Sequence, residues 1–215
     1  MDVHGLLSQA GVDAVGLQLH DGAKGRLAGY VQELLLWNKR INLIGKSTET
    51  TIWSRHIVES LVLLPFVAGK VVADIGTGAG IPGLPLSLVL DDKEVEMHLV
   101  EKVQKKVSFL THIKSMFDLD GVWVYGEVLG GNCPAAMPAV DVVTSRALAD
   151  VSKLVSLGDA MLKPGASFVL LKGPEYEREL SDFEKTTYAD FYDVEEVRRV
   201  DVHGRLSCVV VLRKK

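Results

Sequence analysis

The chain has only two cysteines, Cys133 and Cys208, in 215 residues. That is too few for a disulfide framework or a cysteine-held metal cluster. No positively charged amino terminus leads into an apolar stretch, so no signal peptide is expected. The longest uncharged stretches, 75–90 and 128–140, are interrupted by Gly and Pro and do not read as membrane spans. Internal repeats and low-complexity segments are absent. A basic excess is absent too, since the formal net charge is −4. These absences describe a soluble, cytoplasmic protein with no membrane or metal partner, and a monomer is expected. A composition of 47% hydrophobic and 24% charged residues is that of a globular chain rather than a disordered one. The length suits one α/β domain with an appendage.

The acidic total does not exclude nucleic acid, because binding needs only a local basic footprint. Basic residues do cluster, at Lys102, Lys105 and Lys106, at Arg198 and Arg199, and at Arg213, Lys214 and Lys215.

Residues 1–68 read as a helical extension. Leu27, Tyr30, Val31, Leu34 and Leu35 follow the spacing of one helix face, and a second helical stretch is expected over 51–66. From 69 to 215 the pattern changes to that of an α/β domain. Short β-branched runs at 70–75, 95–101, 122–125, 140–145 and 167–172 alternate with helical stretches at 84–90, 104–117 and 151–162. That alternation implies a mostly parallel sheet with helices on both faces. The runs 191–200 and 206–212, joined by a turn centred on His203-Gly204, predict a closing antiparallel hairpin.

The segment Asp74-Ile-Gly-Thr-Gly-Ala-Gly-Ile-Pro-Gly83 follows the first strand and leads into a helix. Glycines there let a ligand approach the main chain where a Cβ would collide. Two cofactors compete. Gly78, Gly80 and Gly83 fit a dinucleotide spacing, with pyrophosphate on the helix N-terminus, which would suit an NAD-dependent oxidoreductase. Gly76 directly after the strand, and the carboxylate of Asp74, suit the cationic methionine end of S-adenosylmethionine better. Glu101, ending the second strand, can take both ribose hydroxyls of an adenosine and so serves either cofactor.

Five ordered motifs narrow the choice: Trp37-Asn-Lys-Arg-Ile-Asn-Leu43, Arg55-His-Ile-Val-Glu-Ser60, the glycine loop, Val143-Thr-Ser-Arg-Ala147 and Leu171-Lys-Gly173. With the closing Gly204-Arg-Leu-Ser-Cys-Val-Val-Val211, they resemble the RsmG/GidB family of bacterial 16S rRNA guanine-N7 methyltransferases. The resemblance implies a Rossmann-like S-adenosylmethionine-dependent methyltransferase sheet with a helical amino-terminal extension. It implies cofactor contacts at Gly76, Ile81, Val128, Leu129 and Arg146. It also implies a substrate: the guanine at position 527, in the 530 loop of 16S rRNA in the small ribosomal subunit. Three places depart from the family pattern, and the first is Glu127-Val128-Leu129 after the third strand, where an Arg-x-Glu run is usual, so contacts at Val128 and Leu129 would be through the backbone. Glu59-Ser60 stands where Asp-Ser is usual, and Glu101 replaces the more frequent Asp.

The chemistry asks for little more. Guanine N7 carries a lone pair and no proton, so attack on a sulfonium methyl needs positioning and electrostatics rather than a strong base. The Asn/Asp-Pro-Pro-aromatic tetrapeptide of amino-group methyltransferases is absent after the fourth strand, where Ser145-Arg146-Ala147 stands. Cys133 precedes Pro134, the reverse of the order used for cytosine-C5 chemistry. The candidates are therefore Arg146, Lys172 and His56 for catalysis. Asp74, Gly76, Gly78, Gly80, Ile81, Glu101, Val128, Leu129 and Arg146 are the candidates for the cofactor, and Arg55, Lys102, Lys105 and Lys106 for RNA phosphates. A salt bridge from Arg146 to Asp150, an Arg55–Glu59 ion pair and a structural His56 are the bland alternatives. A methyltransferase of a small molecule or protein, and a non-catalytic RNA-binding module, remain competing readings.

Overall fold

The computed structural model describes residues 18–67, 70–90, 94–126, 134, 136–146, 148–202 and 204–215. Strands β1 (Lys70–Ile75), β2 (Val95–Val100), β3 (Val122–Tyr125), β4 (Val140–Arg146), β5 (Leu162–Lys172), β6 (Tyr192–Val202) and β7 (Arg205–Lys214) form one sheet. Its order is β3-β2-β1-β4-β5-β7-β6. The first five strands are parallel, and β7 runs antiparallel to both β5 and β6. This is the expected Rossmann-like sheet with its antiparallel closing hairpin. The strand order reverses between β1 and β4, and in open α/β sheets such a switch point opens a crevice at the carboxyl ends of the strands.

Alternation along the strands explains why both faces are covered. Val169, Leu171, Val209 and Val211 belong to one apolar cluster, and Phe168, Leu170, Val210 and Leu212 to the other. The first cluster is closed by helices α1 (Asp21–Ile41), α2 (Gly83–Val89) and α3 (Gln104–Met116). The second is closed by α4 (Val151–Gly158) and α5 (Tyr176–Phe183). Leu27, Tyr30 and Leu34 of α1 share a core with Val72, Met97 and Val209 of the sheet, so the described part of the helical extension packs into the sheet's core.

The ends of α1 are set by its sequence. The His20 side chain accepts from the Ala23 N–H at the start, and Asn42 closes the other end in the left-handed conformation at φ 50°. Asn38 accepts from the Ile44 N–H at 2.9 Å and donates to Glu49 Oε1 at 2.6 Å, which folds the chain back after the helix. The expected helix over 51–66 is broken. Trp53–Val58 is wound as a π-helix and runs into the short turns Glu59–Leu61 and Leu64–Val67. Single π turns occur mostly at functional sites, and this one buries His56, Glu59 and Ser60 together.

Two strands also run longer than their apolar runs suggest. β5 begins five residues before the 167–172 run, and β7 reaches Lys214. Polar residues at sheet ends still pair when a neighbouring strand offers backbone partners.

Candidate active site

The loop after β1 turns on three glycines with positive φ, Gly76 at 65°, Gly78 at 62° and Gly80 at 85°. They have different uses. A Cβ on Gly80 would stand 2.3 Å from Leu84 Cδ1, so this glycine is there for packing. A Cβ on Gly78 would have as nearest neighbours Gly76 O at 3.9 Å and Lys106 Nζ at 4.0 Å, so that side is open to a ligand. Gly76 is roofed by the side chain of Leu148, whose methyl carbons lie 2.6 Å from where a Cβ would be.

Two carboxylates hold the loop. Asp74 is fully buried, and its Oδ2 accepts from Thr77 Oγ1 at 2.5 Å and from the Gly83 N–H at 2.9 Å. Its Oδ1 is buried and has no hydrogen-bond partner among the described residues. Burial pushes its carboxyl up to about 7, against the opposing hydrogen bonds from Thr77 and Gly83. Glu101 Oε2 accepts from the Gly78 N–H at 3.0 Å, and its Oε1 accepts from the Val103 N–H at 2.9 Å. Glu101 thereby couples the glycine loop to the start of α3 while keeping lone pairs for a ligand. From the other side, the Tyr30 hydroxyl of α1 donates to Ala79 O at 2.8 Å.

This geometry discriminates between the two cofactors. A pyrophosphate bound as in dinucleotide folds lies on the amides at the helix N-terminus. Here the Gly83 amide at the start of α2 is already taken by the Asp74 carboxylate, which would repel such an anion. A cationic amino group near the orphaned Asp74 Oδ1 meets no such conflict, so the residues present fit S-adenosylmethionine. Val128 and Leu129 lie outside the described residues. Ile81 is buried, and its N–H donates to Thr77 O at 3.0 Å.

Next to the loop, at the end of β4, Arg146 enters a polar cluster. Its Nη2 lies 3.2 Å from Glu59 Oε2, and its Nη1 donates to His56 Nδ1 at 2.7 Å. His56 Nδ1 therefore carries no proton. The Nε2–H donates to Thr48 Oγ1 at 3.0 Å, and that hydroxyl donates on to Gly45 O at 2.7 Å. Burial and the nearby Arg146, Arg55 and Arg205 lower the His56 pKa to about 3. In this arrangement the imidazole is neutral, and its Nδ1 lone pair holds the Arg146 guanidinium in place. Glu59 also receives Arg205 Nε at 3.4 Å and the Ser207 hydroxyl at 2.9 Å. Neither local ion pair suggested by spacing occurs. Asp150 instead caps α4 by accepting from the Lys153 N–H at 2.8 Å, and Glu59 turns to Arg146 and Arg205. Lys172 is buried at the end of β5, donating to Ala149 O at 2.7 Å and paired with Glu179 at 2.6 Å.

A cavity of about 340 Å³ opens over this cluster. Four cations line it, Arg55, Arg146, Lys172 and Arg205, against two carboxylates, Glu59 and Glu179. In a chain of net charge −4, that local excess is the footprint an anionic polymer needs. Lys102 and Lys105 are exposed at the start of α3, and Lys106 beside them reaches toward Gly78. None of the three forms a salt bridge with a described residue. The structure thus brings Arg146, Lys172, His56 and Arg55 to one place, and the lysines to the glycine-loop side. Sequence reasoning missed Glu59, Arg205 and Glu179 as cavity residues. Glu59 and Arg205 stand inside two of the motifs quoted above, which was the available signal.

Comparison with known proteins gives the family. Residues 24–206 match the family GidB, described as rRNA small subunit methyltransferase G. The chain belongs to this family. Among curated relatives, the chain is 46% identical to ribosomal RNA small subunit methyltransferase G of Magnetococcus marinus over 214 residues, spanning 100% of this chain and 97% of that one. The namesake from Anaeromyxobacter dehalogenans is 38% identical over 80% of each chain. Solved structures share the fold at low identity. A SAM dependent methyltransferase from Aquifex aeolicus superposes with a TM-score of 0.55 at 21% identity, covering 72% of this chain and 88% of that one. TrmK of M. capricolum, in complex with S-adenosyl-homocysteine, gives 0.58 at 14% identity, over 73% and 67%. Membership makes this chain an S-adenosylmethionine-dependent methyltransferase acting on small-subunit rRNA and removes the oxidoreductase alternative.

Proposed function

We propose that this GidB-family protein methylates N7 of a guanine in 16S rRNA, the guanine at position 527, within the small ribosomal subunit. The observation that carries the reading is the cationic cavity beside the glycine loop, with Arg146 anchored at its centre. S-adenosylmethionine, when bound, supplies an electrophilic methyl group on a sulfonium. The residues of the chain do the rest. Asp74 and Glu101 hold the amine and ribose ends, and the open face of Gly78 admits the cofactor. Arg146 presents guanidinium hydrogens to guanine O6 or a neighbouring phosphate and leaves the N7 lone pair free. Lys172 adds a second fixed donor at the cavity wall. Arg55, Lys102, Lys105 and Lys106 take RNA phosphates, offsetting the few kcal/mol, roughly, of drawing a guanine from its stack. His56 contributes by holding Arg146. A tritiated-methyl transfer assay on unmethylated small subunits, followed by nucleoside analysis, tests this. 7-Methylguanosine is expected, and label in any other nucleoside, or none in RNA, overturns it.

A further inference from the structure

A second cavity, of about 310 Å³, adjoins the first across Arg55, Glu59 and Arg205, which line both. Its remaining polar lining is three hydroxyls, Ser47, Thr51 and Ser54, around the start of the π-wound segment. Its charge is unbalanced, with two guanidiniums against one carboxylate, and Arg146 draws on that same carboxylate. Arg55 Nε is buried and has no hydrogen-bond partner among the described residues. Leaving a buried donor without an acceptor is unfavourable, so it signals a partner the described residues do not provide. The Arg205 side chain is 47% exposed, so the mouth is open to solvent.

We propose that this second cavity is a subsite for the ribose-phosphate backbone of a nucleotide flanking the target guanine. The proposal rests on the reading of the first cavity as the guanine site. A phosphodiester supplies the acceptor missing at Arg55 Nε and meets the fork of Arg205. The three hydroxyls present no charge to oppose it. Ser54 Oγ and Thr51 Oγ1 donate to backbone carbonyls at 3.2 and 3.5 Å, which leaves their lone pairs to accept from a 2′-hydroxyl, the group that marks RNA. Glu59 lines both cavities and pairs with Arg146, which lines the first cavity, and with Arg205, which lines both. Strand register would thereby be set by protein side chains on two consecutive units of the RNA.

Ser54→Glu places a carboxylate in the second cavity alone, and Thr51→Glu does so one turn away should the first variant fold poorly. Arg213→Gln, at the opposite end of the sheet beside Ser167, changes the net charge by the same amount. Binding of unmethylated small subunits and of S-adenosylhomocysteine is measured for each full-length protein, with thermal melting on the same samples. The expected result is a tenfold or greater loss of subunit affinity for Ser54→Glu or Thr51→Glu, with wild-type S-adenosylhomocysteine affinity and no such loss for Arg213→Gln. A folded Ser54→Glu or Thr51→Glu protein with wild-type subunit affinity overturns the subsite, and an equal loss in Arg213→Gln overturns it by showing a charge effect without a site. Failure of the wild-type protein to bind or methylate subunits refutes the guanine-site reading instead, so the two failures are distinguishable.

Discussion

Cofactor binding should expel a proton. Burial holds the Asp74 carboxyl at about 7 in the free protein, well above its ordinary value of 3.8. A group raised in this way favours the folded state below its ordinary pKa, and that advantage is lost as pH rises from about 4 to about 7. A cationic amino group beside Oδ1 reverses the preference and ionises the carboxyl on binding. At pH 6 about 0.9 of the Asp74 carboxyls are protonated before binding, and at pH 7.5 about 0.2. Binding of S-adenosylhomocysteine should therefore release about 0.9 proton at pH 6 and about 0.2 at pH 7.5. Affinity should strengthen by about tenfold per pH unit below 7 and level off above it. Titration calorimetry in buffers of different ionisation enthalpy counts the protons directly. Asp74→Asn removes the release and serves as the control. Proton release below about 0.3 at pH 6 refutes the placement of the amine against Asp74.

Other perturbations address the remaining residues. Glu101→Ala should weaken S-adenosylhomocysteine binding by about 1.5–3 kcal/mol, the range for hydrogen bonds to a charged group. Unchanged affinity in calorimetry removes Glu101 from the cofactor site. Arg146→Ala should lower single-turnover methyl transfer at least tenfold, on the order of 1.4 kcal/mol, with S-adenosylhomocysteine binding reported alongside to separate the two ligands. Full activity returns Arg146 to a structural role. Glu59→Gln leaves the buried Arg146 guanidinium without its counter-charge, which costs about 3–5 kcal/mol for a broken buried pair. For a chain of this size that is a fall in Tm of roughly 6–20 °C, and a shift under 2 °C in calorimetric melting contradicts it.

Much of this molecule is written locally. The β-branched runs, the glycine loop and the closing turn each appear within a few residues, because strand pairing and tight turns impose local residue preferences. The strand-end positions of Arg146 and Lys172 followed from the same reading. What stayed hidden depends on distant partners. Arg146 reads locally as a partner for Asp150 four residues later, yet it pairs with Glu59, 87 positions earlier in the chain. His56 reads as a candidate catalyst or a structural residue, and only the folded chain shows its lone pair occupied by a guanidinium from β4. Tyr30 reads as one apolar position on a helix face, and only the folded chain shows its hydroxyl on the glycine loop. The periodicity of 51–66 announces a helix and not its π winding, since that winding serves the inward-facing His56 and Glu59 rather than any helix propensity.

The hydrogen bond from Ser207 to Glu59 spans 148 residues of sequence. Contacts so far apart are costly to close and form late. During synthesis the glycine loop and its Tyr30 tether emerge before the hairpin carrying Arg205 and Ser207. Until that hairpin docks, Glu59 lacks Arg205 and Ser207, two of the groups that fix it, and Arg146 has an unsteady anchor. The anchoring of Arg146 is thereby tied to a hairpin that emerges well after the strand it holds, and a fragment ending before β7 lacks two of the groups that fix Glu59.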